Sequence, residues 1–458
     1  MKKIVICLCA MFVLCVAVLL GGCGKKETKS TLCGVSIKEY AIVYSAGEND
    51  YNARAAKYIQ EEISARCGVK LPVILDTDAP VGEYEIVVGE TSRELSAELS
   101  PELSGVEFAL MAKGGVVAME ADAFVIAAAA YYFIDTYFPA NNYDAIVPEE
   151  VTVATPIVKE AKNFILLIGD GMGVYQTKMP ELYEGECDYC DGEDIFYGYL
   201  LPNIGFSRTD SLSGTTDSAA GGTALATGYK TENGCVGQLP DGTPLLSLPE
   251  LALSLGMGAG VMSTESATGA TPASFSAHAS NRGSSSEIMD SQFDFEHKKG
   301  GLLDCGFNYY NPKGIQNTEK HIVEALDKLD DKDGFFLMYE EAYIDKHCHS
   351  NDLDNLYLAT LRFNQAIGRF MEYAFYHPET AVIITADHET GALLPDADNN
   401  LAFGTDDHSS ADVPVFAWGM GTECFDDVTI ENTQIAMTIA KWMGKNDFGD
   451  QGTFAPLN

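Results

Sequence analysis

The chain has 458 residues, of which 46% are hydrophobic, so it is long enough for about two or three domains with sizeable cores. Its formal charge is −38, from 29 Lys and Arg against 67 Asp and Glu. Because such an acidic chain repels the nucleic acid backbone, we expect no general nucleic acid binding, and any phosphate site needs local positive charge from metal ions or a well-placed arginine.

The N-terminus is predicted to be a targeting segment. Two lysines precede an apolar run, 4–20, that ends in Leu-Gly-Gly-Cys at Cys23. A transmembrane anchor is one interpretation, and the run is barely long enough for it. The ending resembles the lipobox of bacterial lipoproteins, in which the cysteine is lipidated. That resemblance implies a signal peptide at 1–22, a tether at 23–32 and a secreted protein that is lipid-anchored to the outer face of the cytoplasmic membrane.

The remaining cysteines do not define a framework. An export compartment permits disulfides, but their pairing cannot be deduced from sequence. Cys187 and Cys190 form a CxxC in an acidic loop, and without a second such pair they are weak evidence for zinc. A disulfide or free thiols is the preferred interpretation.

Residues 33–145 are predicted to form a small α/β accessory domain, because short β-like runs alternate with helical periodicity. The predicted elements are a strand at 40–44, a helix at 52–63, a strand at 84–88, a hairpin at 108–119 around two glycines, and an Ala-rich buried helix at 124–138. This order is loosely similar to the small domain that precedes the catalytic barrel of some glycoside hydrolases. The proline-punctuated segment 146–162 is predicted to be a linker.

From residue 163 to 448 the pattern changes to continuous apolar runs followed by helices, which predicts a mostly parallel sheet covered on both faces. The predicted strands are 164–168, 260–263, 335–339, 381–386 and 413–418, and the predicted helices are 218–227, 249–255, 318–329, 353–376 and 433–443. In such sheets ligands bind at the carboxyl ends of the strands.

Polar side chains at these ends form the candidate site. They are Asp170, Ser218, Thr271, Glu340, Asp345, His349, Asp387, His388 and His408. Singly, each has an ordinary structural explanation, such as helix capping by a strand-end aspartate. Together, the carboxylates and imidazoles are suited to zinc, while Thr271 and Glu340 add oxygen donors suited to magnesium.

Ser218 opens a helix in Thr-Asp-Ser-Ala-Ala-Gly-Gly. Small residues after the serine permit a tight turn, and the free N–H groups of a helix N-terminus favour an anion. The serine is therefore either a nucleophile that attacks phosphate or an ordinary N-cap.

The region from about 163 to 444 resembles the alkaline phosphatase family. The matching motifs are LIGDGMG at 167–173, TDSAA at 216–220, ATPA at 270–273 with Asn281-Arg282 behind it, E-x4-D-x3-H at 340–349, and TADHETG at 385–391. Their order is that of the family. The resemblance implies an α/β fold with a mostly parallel sheet flanked by helices.

The resemblance also implies a trinuclear site. One zinc would be held by Asp345, His349 and His408, a second by Asp170, Asp387 and His388, and magnesium by Asp170, Thr271 and Glu340. Ser218 would be the nucleophile at the second zinc, Arg282 would clamp phosphate, and Lys346 would bridge to phosphate through water. The family spacing selects His349 over His347.

The sequence departs from the family pattern at two places. Gly269 stands where the family has Asp or His, which leaves the third metal open. Only 20 positions separate His388 from His408, so the large insertion that many members carry is missing. A homodimer is a candidate assembly, and the oligomeric state stays open.

The main hypothesis is an extracytoplasmic alkaline phosphatase that hydrolyses phosphate monoesters through a phosphoserine intermediate on Ser218. A phosphodiesterase or sulfatase-like hydrolase of the same superfamily is the enzymatic alternative. A glycan-binding surface protein with an inactive core is an alternative of another class.

Overall fold

The computed structural model describes residues 30–46, 50–78, 80–99, 103–139, 144–183, 195–305, 314–330, 333–397 and 400–458. Cys23 with the predicted signal peptide, and the pair Cys187 and Cys190, lie outside these ranges. Among the residues described, no helix combines the length and apolarity that crossing a membrane requires.

Helices and strands alternate through most of the described chain. The helices are α1 (Tyr51–Cys67), α2 (Glu94–Glu98), α3 (Ile126–Tyr137), α4 (Met179–Leu182), α5 (Ser218–Thr227), α6 (Leu248–Ser254), α7 (Ala270–Ser276), α8 (Ser285–Phe293), α9 (Gly314–Asp330), α10 (Tyr343–His349), α11 (Leu353–Tyr376) and α12 (Asn432–Trp442). The strands are β1 (Thr31–Leu32), β2 (Val35–Ser36), β3 (Ala41–Tyr44), β4 (Val73–Leu75), β5 (Glu85–Val88), β6 (Phe108–Lys113), β7 (Val116–Glu120), β8 (Asp144–Ala145), β9 (Thr152–Ala154), β10 (Asn163–Gly169), β11 (Asn203–Arg208), β12 (Gly258–Ser263), β13 (Leu302–Cys305), β14 (Phe335–Glu341), β15 (Thr380–Thr385), β16 (Glu389–Thr390), β17 (Leu394–Pro395), β18 (Leu401–Ala402), β19 (His408–Ser409), β20 (Val413–Trp418) and β21 (Thr429–Glu431).

The N-terminal part forms a six-stranded sheet in the order β4-β3-β5-β7-β6-β9. Strands β4, β3, β5 and β7 run parallel, and β6 forms an antiparallel hairpin with β7. Gly114 and Gly115 both take positive φ at the hairpin turn, and a Cβ on Gly115 would lie 2.8 Å from the ring of Tyr84. The predicted elements of this part are confirmed, with small shifts of their ends.

The segment predicted as a linker is partly built into this sheet. Residues Thr152–Ala154 form β9, which pairs antiparallel with β6. The last tether residues are also structured, because β1 pairs in parallel with β8. The sequence predicted a linker and a tether without strands here, because each of these strands is too short to show hydrophobic periodicity.

The second sheet has eight strands in the order β13-β12-β14-β10-β15-β20-β11-β21. The five strands from β13 to β15 are parallel, whereas β20 runs antiparallel to both β15 and β11. Strands β10, β12, β14, β15 and β20 are buried along their whole length, which explains their continuous apolar runs. The predicted mostly parallel sheet is thus confirmed.

The two sheets are joined through α11. Phe124, which is fully buried, packs its ring 4.9 Å from that of Tyr197 and 5.6 Å from that of Phe375 on α11. Arg54 on α1 forms an ion pair at 2.8 Å with Glu372, which is also on α11. The N-terminal part therefore packs on the larger part and shares one continuous hydrophobic core with it.

Candidate metal centre

Three neighbouring parallel strands bring carboxylates to one edge of the large sheet. Asp170 follows β10, Glu340 lies near the end of β14, and Asp387 follows β15. The strand register brings these three carboxylates to the same level of the sheet, because Ile168 of β10 pairs with Glu340 on one side and with Thr385 on the other. The site thus forms at the carboxyl ends of the parallel strands, where ligands bind in sheets of this kind.

Two clusters of metal-ligating side chains form at this edge. In the first, the Nε2 atom of His349 lies 3.1 Å from Nε2 of His408 and 3.4 Å from Oδ1 of Asp345. The structure thereby brings together the three residues that the resemblance assigned to one zinc, with ligand atoms within 4.8 Å of one another. His408 reaches the cluster because β19 pairs with β16 directly after the TADH segment.

The second cluster lies against the first. The Nε2 atom of His388 is 3.4 Å from Oδ1 of Asp170 and 3.4 Å from Oδ2 of Asp387. The rings of His388 and His408 stack with their centroids 3.8 Å apart. These are the three residues assigned to the second zinc, and the stacked rings place the two clusters side by side.

The histidines are oriented by their second ring nitrogen. Nδ1 of His349 lies 2.6 Å from the carbonyl oxygen of Asp406, and Nδ1 of His408 lies 2.8 Å from that of Thr216. Because a carbonyl can only accept, each Nδ1 carries the proton and each Nε2 offers its lone pair to the cluster. Thr390 adds a further link, since its hydroxyl donates to Asp345 at 2.6 Å and lies 3.2 Å from Nδ1 of His388.

Several buried oxygens in the site form no hydrogen bond within the described structure. They are Oδ1 of Asp170, Oδ2 of Asp387, Oγ1 of Thr271 and Oε1 of Glu340. Buried polar atoms without partners are costly and rare. Each of these atoms belongs to a predicted metal ligand, so the residues present fit a centre that cations would complete.

The shifted pKa values of three predicted ligands also support a metal centre. Burial, and then the charge of Asp345, raises the pKa of Asp387 to about 7. Burial, and then the charge of Glu265, raises the pKa of Glu340 to about 8. Burial, and then His408, lowers the pKa of His388 to about 3, so its imidazole is neutral and able to ligate. Carboxylates crowded in this way need cations to hold their negative charge.

Ser218 is the first residue of α5 and lies beside the second cluster. Its hydroxyl oxygen is 3.2 Å from Nε2 of His388, and its side chain is buried. The N-cap of α5 is Asp217, whose side chain accepts from the amide of Ala220 at 3.0 Å. The interpretation of Ser218 as an N-cap is therefore wrong, because the preceding aspartate has that role and leaves the hydroxyl facing the cluster.

Asp217 also holds Arg282. Its Oδ2 accepts from the amide of Gly234 at 3.0 Å and from Nη1 of Arg282 at 3.0 Å. Arg282 is 42% exposed and is linked through Asp217 to the N-terminus of α5. Sequence reasoning missed Asp217, although its position between Thr216 and Ser218 inside the motif was a usable signal.

The other predicted site residues lie nearby. Thr271 sits in the first turn of α7 and is fully buried. Lys346 on α10 forms an ion pair with Glu265 at 2.6 Å. His347 is buried on another face of α10 and its ring lies 5.9 Å from that of Tyr343, so His349 is the histidine that joins the cluster.

Comparison with known proteins agrees with this geometry. The model of the family described as alkaline phosphatase matches residues 161–304 and 308–397. The chain belongs to the alkaline phosphatase family. His408 lies beyond the matched residues, and the fold supplies it to the first cluster.

Individual members of the alkaline phosphatase family show the same similarity. Alkaline phosphatase 3 of Bacillus subtilis is 31% identical over 52% of this chain and 63% of its own length. The repressible alkaline phosphatase of Saccharomyces cerevisiae is 28% identical over 51% of this chain and 56% of its own. The chain thus spans less than two thirds of the length of these curated relatives.

A solved structure supports the fold. The alkaline phosphatase of the Antarctic bacterium TAB5 superposes with a TM-score of 0.55 and 29% identity, covering 63% of this chain and all of that chain. A mutant of that protein, with a histidine replaced by aspartate, has Mg bound in its M3 site. The predicted alkaline-phosphatase-like α/β fold is confirmed.

Proposed function

We propose that this protein is a metal-dependent phosphomonoesterase that hydrolyses phosphate monoesters through a phosphoserine on Ser218. The observation that carries the proposal is the position of the Ser218 hydroxyl, 3.2 Å from a histidine of one ligand cluster and adjacent to the other. A buried serine beside such a cluster, on a helix whose capping aspartate also holds an arginine, is suited to attack a phosphate ester.

The residues present would hold three cations. Asp345, His349 and His408 suit one zinc, Asp170, Asp387 and His388 suit a second, and Thr271 with Glu340 offers the all-oxygen set that magnesium prefers. When bound, such cations lower the pKa of a coordinated hydroxyl and stabilise charge on the attacking and leaving oxygens.

The chain's own groups perform the transfer. Ser218 Oγ attacks phosphorus, so that an Oγ–P bond forms while the ester P–O bond breaks, and a proton equivalent to the one lost by Ser218 is taken up by the leaving oxygen, which departs as an alcohol. Water then cleaves the Oγ–P bond, which releases phosphate and restores the hydroxyl. Asp217 fixes both the start of the nucleophile helix and the guanidinium of Arg282.

Arg282 is the side chain suited to bind the transferred phosphoryl group. A guanidinium carries five N–H donors in a planar fork that matches two phosphate oxygens, and Asp217 accepts from one nitrogen of this fork. Arginine recognition of a dianionic group favours monoesters over diesters or sulfates. Rates on matched mono- and diesters of the same leaving alcohol would separate these substrate classes.

The location of the enzyme is part of the proposal. The Leu-Gly-Gly-Cys sequence at Cys23 supports a protein lipid-anchored to the outer face of the bacterial cytoplasmic membrane. Metabolic labelling with a fatty acid should mark the wild type and leave Cys23→Ser unlabelled. Equal labelling of both proteins would contradict the anchor.

The first test of the mechanism is Ser218→Ala. We expect hydrolysis of p-nitrophenyl phosphate by the purified protein to fall by about 10³-fold or more, because the attacking atom is gone. Ser64→Ala, on α1 of the N-terminal part, is the matched control and should keep wild-type rates. Unchanged hydrolysis by Ser218→Ala would refute the serine mechanism.

A further inference from the structure

Position 269 has no side chain, but the space beside it is filled. Gly269 is the N-cap of α7, the helix that carries Thr271. A Cβ built on Gly269 would overlap the carboxyl group of Glu265. The carboxylate of Glu265, which comes from the loop after β12, therefore occupies the place that a side chain at 269 would take.

Glu265 is held in this place from two sides. Its Oε2 accepts from Nζ of Lys346 at 2.6 Å, and its backbone amide donates to Oγ of Ser263 at 3.0 Å. The Ser263 hydroxyl in turn donates to Oε2 of Glu340. One hydrogen-bonded chain thus connects Glu265 to a predicted magnesium ligand, and only 18% of the Glu265 side chain is exposed.

Two buried oxygens of the predicted magnesium ligands have no hydrogen-bond partner in the described part of the chain. Oγ1 of Thr271 and Oε1 of Glu340 form no hydrogen bond within the described structure, and both side chains are fully buried. A hydroxyl and a carboxylate oxygen buried in this way are stable only when a cation or water satisfies them. Together with a carboxylate at Glu265 they make an oxygen-only set, which is the chemistry of a hydrated Mg²⁺ site.

We propose that Glu265 supplies the carboxylate that Gly269 cannot, and so completes a Mg²⁺ site with Thr271 and Glu340. The inference rests on the proposed function, in which this third site supports phosphate hydrolysis. The longer side chain of glutamate reaches the site from four positions earlier in the chain, and the missing side chain at 269 leaves the space for it. Positions 265 and 269 are therefore coupled, and a side chain at 269 is compatible with the site only when Glu265 is shortened.

The test measures metal content as well as activity. Purified full-length protein is dialysed against a series of Mg²⁺ concentrations, and zinc and magnesium per chain are determined by mass spectrometry on the same samples. Glu265→Gln, which keeps the shape and removes the charge, should weaken Mg²⁺ binding by about 10- to 100-fold and leave zinc content unchanged. Glu287→Gln, an exposed carboxylate on α8, is the control and should bind Mg²⁺ like the wild type.

A double variant tests the coupling. Glu265→Ala alone and Gly269→Asp alone should both weaken Mg²⁺ binding, the first by removing the carboxylate and the second by collision with it. Glu265→Ala combined with Gly269→Asp should restore binding. Lys346→Gln should weaken Mg²⁺ binding less than Glu265→Gln does, because it loosens one contact of Glu265 and leaves the carboxylate itself in place.

Three results would overturn the inference. They are wild-type Mg²⁺ binding by Glu265→Gln, a double variant that binds no better than Glu265→Ala, and Mg²⁺ loss in Lys346→Gln equal to that in Glu265→Gln. Each of them leaves the proposed function standing if the wild type still holds zinc and hydrolyses monoesters. A wild type that holds neither metal and hydrolyses no monoester would contradict both.

Discussion

At the scale of single residues, Asp217 links Ser218, the proposed nucleophile, to Arg282, the proposed phosphate clamp. One carboxylate oxygen caps α5 through the amide of Ala220, and the other binds the amide of Gly234 and the guanidinium of Arg282. The position of Ser218 and the position of Arg282 therefore depend on the same side chain. Capping and charge pairing are separable, because asparagine caps helices as well as aspartate does.

Two substitutions separate these contributions. Asp217→Asn should keep the free energy of unfolding near the wild-type value but raise KM for a phosphate monoester by about tenfold, since the charge that holds Arg282 is lost. Asp217→Ala should raise KM similarly and also lower the free energy of unfolding by about 1 kcal/mol. Urea unfolding and steady-state kinetics on both variants check this, and an unchanged KM in Asp217→Asn would disprove the positioning role.

The sequence identified Ser218 as a candidate site residue but did not show whether Ser218 or Asp217 caps the helix. Either residue type caps a helix well, and propensity does not say which of two neighbours does so. The same limit applied at Gly269, where the motif showed a missing side chain and gave no sign that Glu265 fills its place. Both cases were decided by side-chain geometry between residues three or four positions apart, which the sequence pattern does not show.

At the scale of elements, the small residues of α5 allow the helix to lie directly against the strand end that carries the ligands. Ser218–Thr227 is buried along its whole length. A Cβ on Gly221 would lie 2.8 Å from the carbonyl oxygen of Asp387, whereas a Cβ on Gly222 would lie 3.2 Å from the side chain of Ser274. The first contact is with the backbone of a predicted metal ligand, and the second is longer and is with the short side chain of Ser274.

We therefore expect the two glycines to differ. In an open helix Gly→Ala gains about 0.5–1 kcal/mol, but Gly221→Ala should lose about 1–3 kcal/mol of unfolding free energy through overpacking and should lower zinc content. Gly222→Ala is the milder control, with zinc content close to that of the wild type. Thermal unfolding and metal analysis on both proteins test this, and a Gly221→Ala variant that is stabilised and fully metallated would contradict the packing argument.

Element prediction succeeded where burial is uniform. The continuous apolar strands of the large sheet and the bounds of α5 and α11 follow from the sequence pattern. Strand β11, which lies between antiparallel β20 and the edge strand β21, alternates more and less buried residues, and the opposite edge strand β13 is only partly buried, so neither shows a continuous apolar run. Both strands were missed because their partners, rather than their own hydrophobicity, make them strands.

At the scale of the whole molecule, metal binding and folding are linked through buried carboxylates. The pKa of Asp387 is raised to about 7 and that of Glu340 to about 8, mainly by burial, while the unfolded chain ionises these groups near pH 4. The folded metal-free protein therefore binds more protons than the unfolded chain up to about pH 8. Its stability must fall as the pH rises through this range.

This linkage gives a pH prediction. Between about pH 6.5 and 8, where His388 with its pKa of about 3 stays neutral when folded, we expect the metal-free protein to lose stability with rising pH. The metal-loaded protein should show a weaker dependence in this window, because cations keep the carboxylates ionised. Urea midpoints with and without chelator at both pH values check this. A metal-free protein that is more stable at pH 8 than at pH 6.5 would contradict it.

The central claim is that phosphate is transferred to Ser218 before it reaches water. Acid quenching of the metal-loaded enzyme during turnover of a phosphate monoester, followed by mass spectrometric mapping of its peptides, tests this directly. The account predicts phosphate on Ser218 and no phosphopeptide from Ser218→Ala. Rapid monoester hydrolysis with the phosphate on another residue, such as Thr215 or Thr216, would contradict it.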